Sequence, residues 1–219
     1  MSSMDEFLAY LKERQQQPKT NYYLASLKEI ESFGDKKPSI LLHACCVICA
    51  CWPIEFLKDH FEVTLMYNNS NIYPNEEYNK RLNELKRYIK ERYGNEINII
   101  ECDYENDAFM KDLEEYKDDP EGFRRCFICY EKRLDEAYQY ADENGYDYFT
   151  TVMTFSRQKD SQKINEIGKE LEKKYSHTKY FYSDFKKDNA QLKSNEIADE
   201  YCLYKQNYCG CIYSLHEDK

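Results

Sequence analysis

The sequence predicts an α/β fold, a parallel sheet flanked by helices and preceded by an N-terminal helical extension. Three observations carry this. From about residue 39 onward, short apolar runs alternate with longer charged stretches of helical periodicity. The composition, 42% hydrophobic and 33% charged, supplies both a core and a solvated surface. Only 5 Pro and 6 Gly punctuate the 219 residues, which suits many helices joined by short connections.

Each element follows from its local pattern. Residues 1–37 read as the extension: Asp5 to Gln17 is helical, and Asn21 caps a second helix that runs to Phe33. Gly34 ends it, and Asp35 to Pro38 form a turn. Residues 38–219 read as the α/β domain that carries the chemistry. Ser39 to Ala44 is an apolar run, hence a buried strand, followed by a short helix from Ile54 to Asp59. Glu62 to Tyr67 is a second strand and Asn75 to Arg92 a helix. Glu96 to Cys102 is a third strand, Ala108 to Tyr116 a helix, and Arg125 to Asn144 a longer helix. Asp147 to Met153 is a fourth strand, Ser161 to Tyr175 a helix, Lys179 to Tyr182 a short strand, and Asn189 to Tyr204 the last helix. In such sheets ligands collect beyond the carboxyl ends of the strands. Those ends lead into Cys45 and Cys46, Asn68 to Pro74, Cys102 and Asp103, and Thr154 to Lys159.

The N-terminus is charged and lacks an unbroken apolar region, so no signal peptide is read. No apolar run approaches the roughly 20 residues that span a bilayer. The expectation is a cytoplasmic protein without a membrane partner. In a reducing compartment, clustered cysteines serve metals or redox chemistry more often than a static disulfide framework. The net charge of −10 argues against bulk attraction to nucleic acid, while leaving room for a local basic patch. Three basic clusters qualify: Arg81, Lys86, Arg87 and Lys90; Arg124, Arg125, Lys132 and Arg133; Lys186, Lys187 and Lys193. The bland reading of each is a solvated helix face.

Seven of the ten cysteines fall into three tight groups. Cys45, Cys46 and Cys49 form the first, with Cys51 trailing as a structural residue. Cys126 and Cys129 form a C-x-x-C pair near a helix start, where the dipole favours a thiolate. Cys209 and Cys211 form a C-x-C pair that can ligate a metal or close a strained, reducible disulfide. Cys102 and Cys202 stand alone and read as packing residues. An iron–sulfur cubane or a structural zinc each needs about four thiolates, and either leaves three over. A surplus beside a cluster suggests a second metal or a redox dithiol. No G-x-G-x-x-G and no P-loop is present, so electrons would come from an outside donor.

Several blocks then agree in order and spacing with one family: LLHACCVIC, YNNSNIYPNEEYNKRL, RCFICYEKRL, TTVMTFSRQKDSQKINEIG, SDFKK and YKQNYCGCIYSL. From about Ile40 to Leu215 the chain resembles the epoxyqueuosine reductase QueH family. The resemblance implies a Rossmann-like sheet related to the adenine-nucleotide alpha-hydrolase group. It implies reduction of epoxyqueuosine to queuosine at the tRNA wobble position, the last step of queuosine biosynthesis. It implies a 4Fe-4S cluster with an additional mononuclear iron beside it, and a ferredoxin- or flavodoxin-like external electron donor. Carried over by position, Cys45, Cys46, Cys126 and Cys129 hold the cluster. Cys209 and Cys211 are a redox-active disulfide or ligands of the second iron, and Cys49 is a third cysteine of the first group with an open role. Ile48 stands where family members usually have Pro, Asn69-Ser70-Asn71 where Asn-Pro-Asn is common, and Thr154 to Lys159 departs from the commoner loop. These changes touch the substrate pocket and remove no thiol.

Asp103, Tyr130 and Glu131 are candidate proton donors, Asp103 foremost. Asn68, Asn71 and Tyr73 are candidate base or ribose contacts, although 22 Tyr make any single one a weak signal. His43, at the end of an apolar strand, reads as a hydrogen-bonded structural residue, and His60, His177 and His216 as surface residues. Two other readings compete. One is a zinc-stabilised RNA- or protein-binding module without redox chemistry. The other is an ATP-dependent tRNA thiolase, against which the missing Ser-Gly-Gly phosphate loop counts.

Overall fold

The computed structural model of the chain describes residues 2–215. Five parallel strands form one sheet in the order β3-β2-β1-β4-β5. They are β1 (Ser39–His43), β2 (Glu62–Tyr67), β3 (Asn98–Glu101), β4 (Tyr148–Thr151) and β5 (Lys179–Tyr180). Eight α-helices accompany them among the described residues: α1 (Ser3–Gln16), α2 (Tyr22–Glu31), α3 (Val47–Lys58), α4 (Asn75–Tyr93), α5 (Asn106–Lys111), α6 (Arg124–Glu143), α7 (Ser161–Glu172) and α8 (Ala190–Glu200). This is the α/β sheet the alternation predicted. The order reverses between β1 and β4, which opens a crevice at their carboxyl ends.

Both sheet faces are covered, which is why the strands read as continuous apolar runs. Successive β1 side chains alternate between them. Ile40 and Leu42 join a core with Leu65, Tyr67 and residues of α3, α4 and α8. Leu41 joins Met66, Phe149, Leu134, Tyr138, Ile164 and Tyr180 under α6 and α7. Helix α7 sits so close to β5 that a Cβ on Gly168 would lie 2.2 Å from the Tyr180 ring. Gly168→Ala is therefore expected to cost about 1–3 kcal/mol through overpacking. In a thermal melt that is a midpoint about 2–10 °C lower; an unchanged midpoint would mean α7 shifts freely on the sheet.

Most element ends lie a few residues from the periodicity reading, and at three of them a local reason is visible. The helix expected from Ile54 begins at Val47 and carries Pro53 inside it. Cys49 therefore lies in its first turn. Strand β4 stops at Thr151 instead of Met153, because the Thr151 hydroxyl accepts the Met153 N–H (3.1 Å) and the chain turns into a 3₁₀ helix, Val152–Phe155. The single helix expected from Ala108 to Tyr116 is α5 plus a 3₁₀ turn, Glu114–Tyr116. The break lets Leu113 pack with Phe109 beside Cys129.

The extension packs on the segments that flank the crevice. Ser2 and Asp5 form a capping box for α1, and the Asn21 side chain accepts the Leu24 N–H (3.1 Å) to cap α2. Phe7 and Tyr10 lie against Phe123, just ahead of α6. Arg14 pairs with Asp160 (2.9 Å) and Glu166 (2.6 Å) at the start of α7. Among the described residues, no helix is long and apolar enough to cross a membrane.

Candidate metal centre

The first sulfur group occupies the turn from β1 into α3. In nucleotide-binding sheets a phosphate sits at the equivalent helix start; here thiols do. The Sγ atoms of Cys45, Cys46 and Cys49 all lie within 4.8 Å of one another. Cys46 precedes α3 in extended conformation and has no side-chain cap bond, so the free N–H groups of the first turn face this sulfur-rich end. Side-chain hydrogen bonding with Cys46 and Cys49 holds the Cys45 pKa well below the ordinary thiol value, against the effect of burial. The same contact with Cys45 pushes Cys46 up to about 12 and Cys49 upward too. The trio thus carries one negative charge readily and resists a second. A soft cation among the sulfurs removes that resistance.

The second group begins α6. Cys126 sits in the first turn and accepts the Gly122 N–H (3.2 Å). Burial raises its pKa, and burial likewise pushes Cys129 up to about 12. Four residues beyond Cys129, on the same helix face, comes Arg133. Arg133 is 2% exposed, donates to the Asn69 side-chain oxygen (2.6 Å), and lies within electrostatic reach of Cys129, Cys45 and Cys209. Its Nε is buried without a hydrogen-bond partner among the described groups.

The third group reaches the same rim from the C-terminal end. Buried Arg81, paired with Glu77 (2.7 Å), donates to the carbonyls of Cys209 (3.1 Å) and Tyr208 (3.3 Å). The Tyr73 N–H donates to the Gly210 carbonyl (2.7 Å). Gly210 adopts a φ of +123°, and a Cβ there would lie 3.1 Å from Arg81 and Ile72, so only glycine passes through this gap. Lys159, beyond β4, donates to Cys209 Sγ (3.4 Å), and Gln206 donates to Cys46 Sγ (2.8 Å). Burial opposes the Lys159 charge, but Cys209, Tyr130, Cys45 and Cys49 outweigh it and raise its pKa. All three groups therefore have Arg133 as a cationic neighbour, and the first and third also share Lys159. All ten cysteines are free thiols here, Cys209 and Cys211 included.

Other expected residues lie elsewhere. Asp103 lines a cleft of about 370 Å³ with Asn68, Cys102, Lys132 and Glu136, and none of the seven clustered cysteines lines it. Tyr130 is buried, 4% exposed, and faces Lys159, Cys126 and Cys209, whereas Glu131 is exposed on α6. Asn68 donates to Glu136 (2.7 Å), Asn71 is buried, and Tyr73 is 39% exposed beside the tail pair. His43 is fully buried between the Thr151 hydroxyl (2.9 Å) and the Asn68 carbonyl (3.2 Å). Burial and Arg133 lower its pKa to about 3, so it stays neutral. His60 and His177 are exposed, and His216 lies outside the described residues. Cys51 is buried against the Ser194 hydroxyl (3.2 Å). Cys202, read as a packing residue, is instead exposed, at the positive-φ turn after α8.

The solvated reading of the basic clusters fails at three positions. Arg81, Arg125 and Arg133 are 1%, 5% and 2% exposed. Their burial follows from anionic or carbonyl-rich neighbours, which residue type alone does not reveal. For Arg133 a signal existed: Cys126, Cys129 and Arg133 at i, i+3 and i+7 share one helical stripe. Lys159 had no such signal, because its role depends on how the loop after β4 meets the tail.

The donor set suits a soft metal or an iron–sulfur group. It offers thiols with cationic side chains behind them and an unpartnered guanidinium N–H at hand for an anionic sulfur. The sequence model described as Epoxyqueuosine reductase QueH matches residues 40–217. The chain is similar to the epoxyqueuosine reductase QueH of Streptococcus pyogenes serotype M1, with 37% identity over 98% of this chain and 84% of that one. It is similar to those of Staphylococcus epidermidis, 34% identical over 98% of this chain and 91% of that one, and Staphylococcus aureus, 37% identical over 81% and 76%.

Proposed function

Because the chain belongs to the epoxyqueuosine reductase QueH family, we propose that it reduces epoxyqueuosine to queuosine at the wobble position of tRNA. The reaction takes an epoxide, two electrons and two protons to an alkene and water. The observation that carries the reading is the Cys45, Cys46 and Cys49 group, its sulfurs within 4.8 Å of one another, with buried Arg133 in electrostatic reach of Cys45, Cys129 and Cys209.

On this reading Cys45, Cys46, Cys126 and Cys129 hold a 4Fe-4S cluster, and the Cys49 sulfur lies within 4.8 Å of those of Cys45 and Cys46. Cys209 and Cys211 act as a redox dithiol or hold an additional mononuclear iron. When bound, the cluster supplies single electrons drawn from a ferredoxin- or flavodoxin-like donor. The chain's own groups do the rest. Arg133 and Lys159 offset the negative charge of the thiolates. Lys159 holds protons beside Cys209 Sγ, 3.4 Å away, and the Tyr130 hydroxyl faces the same space. Asp103 serves a substrate that extends into the neighbouring cleft. Arg81 and Tyr73 fix the backbone of the tail pair so that its sulfurs approach without a search over conformations. The enzyme so read is cytoplasmic.

The test is elemental. Protein purified without oxygen is expected to be brown, to contain iron and acid-labile sulfide, and to convert epoxyqueuosine in tRNA when given a reductant. Colourless protein with about one zinc per chain and no conversion would replace this reading with a zinc-stabilised binding module.

A further inference from the structure

We infer that the groove between the α1–α2 connection and the chain after β5 seats a ribose-phosphate unit of the RNA strand that carries the reacting base; the inference rests on the RNA-modifying function proposed above. The groove has a volume of about 480 Å³, and Lys19, Lys159, Asp160, Asp184, Lys186 and Lys187 line it. That volume falls in the range of small-ligand sites, roughly 300–1,000 Å³.

Its charge is the reverse of the molecule's. The chain carries −10 overall, yet four lysines meet here. Of the two acids, Asp160 is already paired with Arg14 at 2.9 Å. Lys186 Nζ is fixed by the carbonyls of Ser156 (3.3 Å) and Lys159 (2.9 Å), which leaves one N–H to give. Lys19 and Lys187 are exposed, and among the described residues neither has an acidic partner within 4 Å. A basic groove on an acidic protein draws a polyanion toward it.

A second observation narrows the ligand. Asp184 is 8% exposed, and its Oδ1 has no hydrogen-bond partner among the described groups. A carboxylate oxygen so placed calls for a donor, while the lysines around it call for an anion. Ribose and phosphate in sequence offer both, and deoxyribose lacks the 2′-hydroxyl donor. Lys159 joins this groove to the sulfur rim, since its Nζ contacts Cys209. A strand with its reacting base at the sulfurs would lay an adjacent sugar and phosphate here. The Ser183-Asp184-Phe185-Lys186-Lys187 block thereby gains a role that the redox chemistry leaves unassigned.

The experiment is fluorescence anisotropy with the intact, metal-loaded protein. The probes are a labelled RNA anticodon stem-loop, its DNA counterpart, and adenosine monophosphate as a free-nucleotide competitor. The Lys19→Glu/Lys187→Glu variant is expected to weaken RNA binding about tenfold or more, with the log–log salt slope falling by about 0.7 for each lysine lost. Its iron content and thermal midpoint are expected to match the wild type. Asp184→Asn is expected to narrow the preference for RNA over DNA. RNA binding with unchanged affinity and slope in the lysine variant would overturn the groove and leave the proposed activity standing. Displacement of the RNA by adenosine monophosphate at comparable concentration would overturn the strand in favour of a free nucleotide. Failure of the wild type to bind the stem-loop at all would instead overturn the RNA reading beneath it.

Discussion

Cys129→Ser is expected to lose iron, colour and epoxide reduction together, while the chain stays folded. The side chain is 8% exposed in a small core with Phe109 and Leu113, and serine fills nearly the same space. What changes is the donor. A buried hydroxyl does not ionise at neutral pH, so it cannot replace a thiolate as a ligand. Loss of an outer-shell partner typically costs 10–100-fold, and loss of a ligand should cost more than about 100-fold in activity. Iron and sulfide per chain, absorbance and conversion of the modified tRNA should fall in step. Cys202→Ser, at an exposed site outside the three sulfur groups, is the control that should change nothing. A Cys129→Ser protein with full iron and full activity would remove the second cysteine pair from the centre.

The second large effect is expected at Arg133, where fold and metal should separate. Arg133→Met keeps the length and apolar stem of the side chain but deletes the charge. Deleting one partner of a buried charge pair is costly only while the other stays charged, and the facing thiols can take up a proton. The main structural loss is the bond to Asn69, whose amide still donates to the Ala44 carbonyl (2.8 Å). The stability change should therefore stay within about 1–3 kcal/mol. The sulfurs of Cys45, Cys129 and Cys209 lose their shared cation, however. Iron retention under a chelator challenge is expected to drop about 10–100-fold. Arg133→Lys keeps the charge without the planar fork and should fall between the two. Equal iron retention in all three proteins would show that Arg133 serves packing alone.

The extension gives a structural reason why this rim stays assembled. Arg14 ties α1 to Asp160 next to Lys159, while Phe7 and Tyr10 press on Phe123 ahead of Cys126. Two chain segments that carry site residues are thus held by one helix. The relatives from Streptococcus pyogenes and Staphylococcus epidermidis align over 98% of this chain, the extension included.

The local pattern was enough to recover the layer order, because each strand and helix is specified by which neighbours must face the core. Ile40 and Leu42 against Leu41 already imply two covered faces. The three sulfur groups were equally legible, since spacings of one, two or three residues are set by the chain itself. Boundaries were less so: the helix read from Ile54 already begins at Val47, and the Thr151 hydroxyl ended β4 early. The cations were the least legible. Arg133, Arg81 and Lys159 look like surface residues in one dimension and become site residues only because folded neighbours supply sulfur or carbonyl partners. Periodicity and short spacing are properties of adjacent residues, and the sequence carries them whole. Which charge is drawn inside, and which distant sulfurs it meets there, depends on desolvation and on contacts between segments more than a hundred residues apart, and those exist only once the sheet has brought its carboxyl ends together.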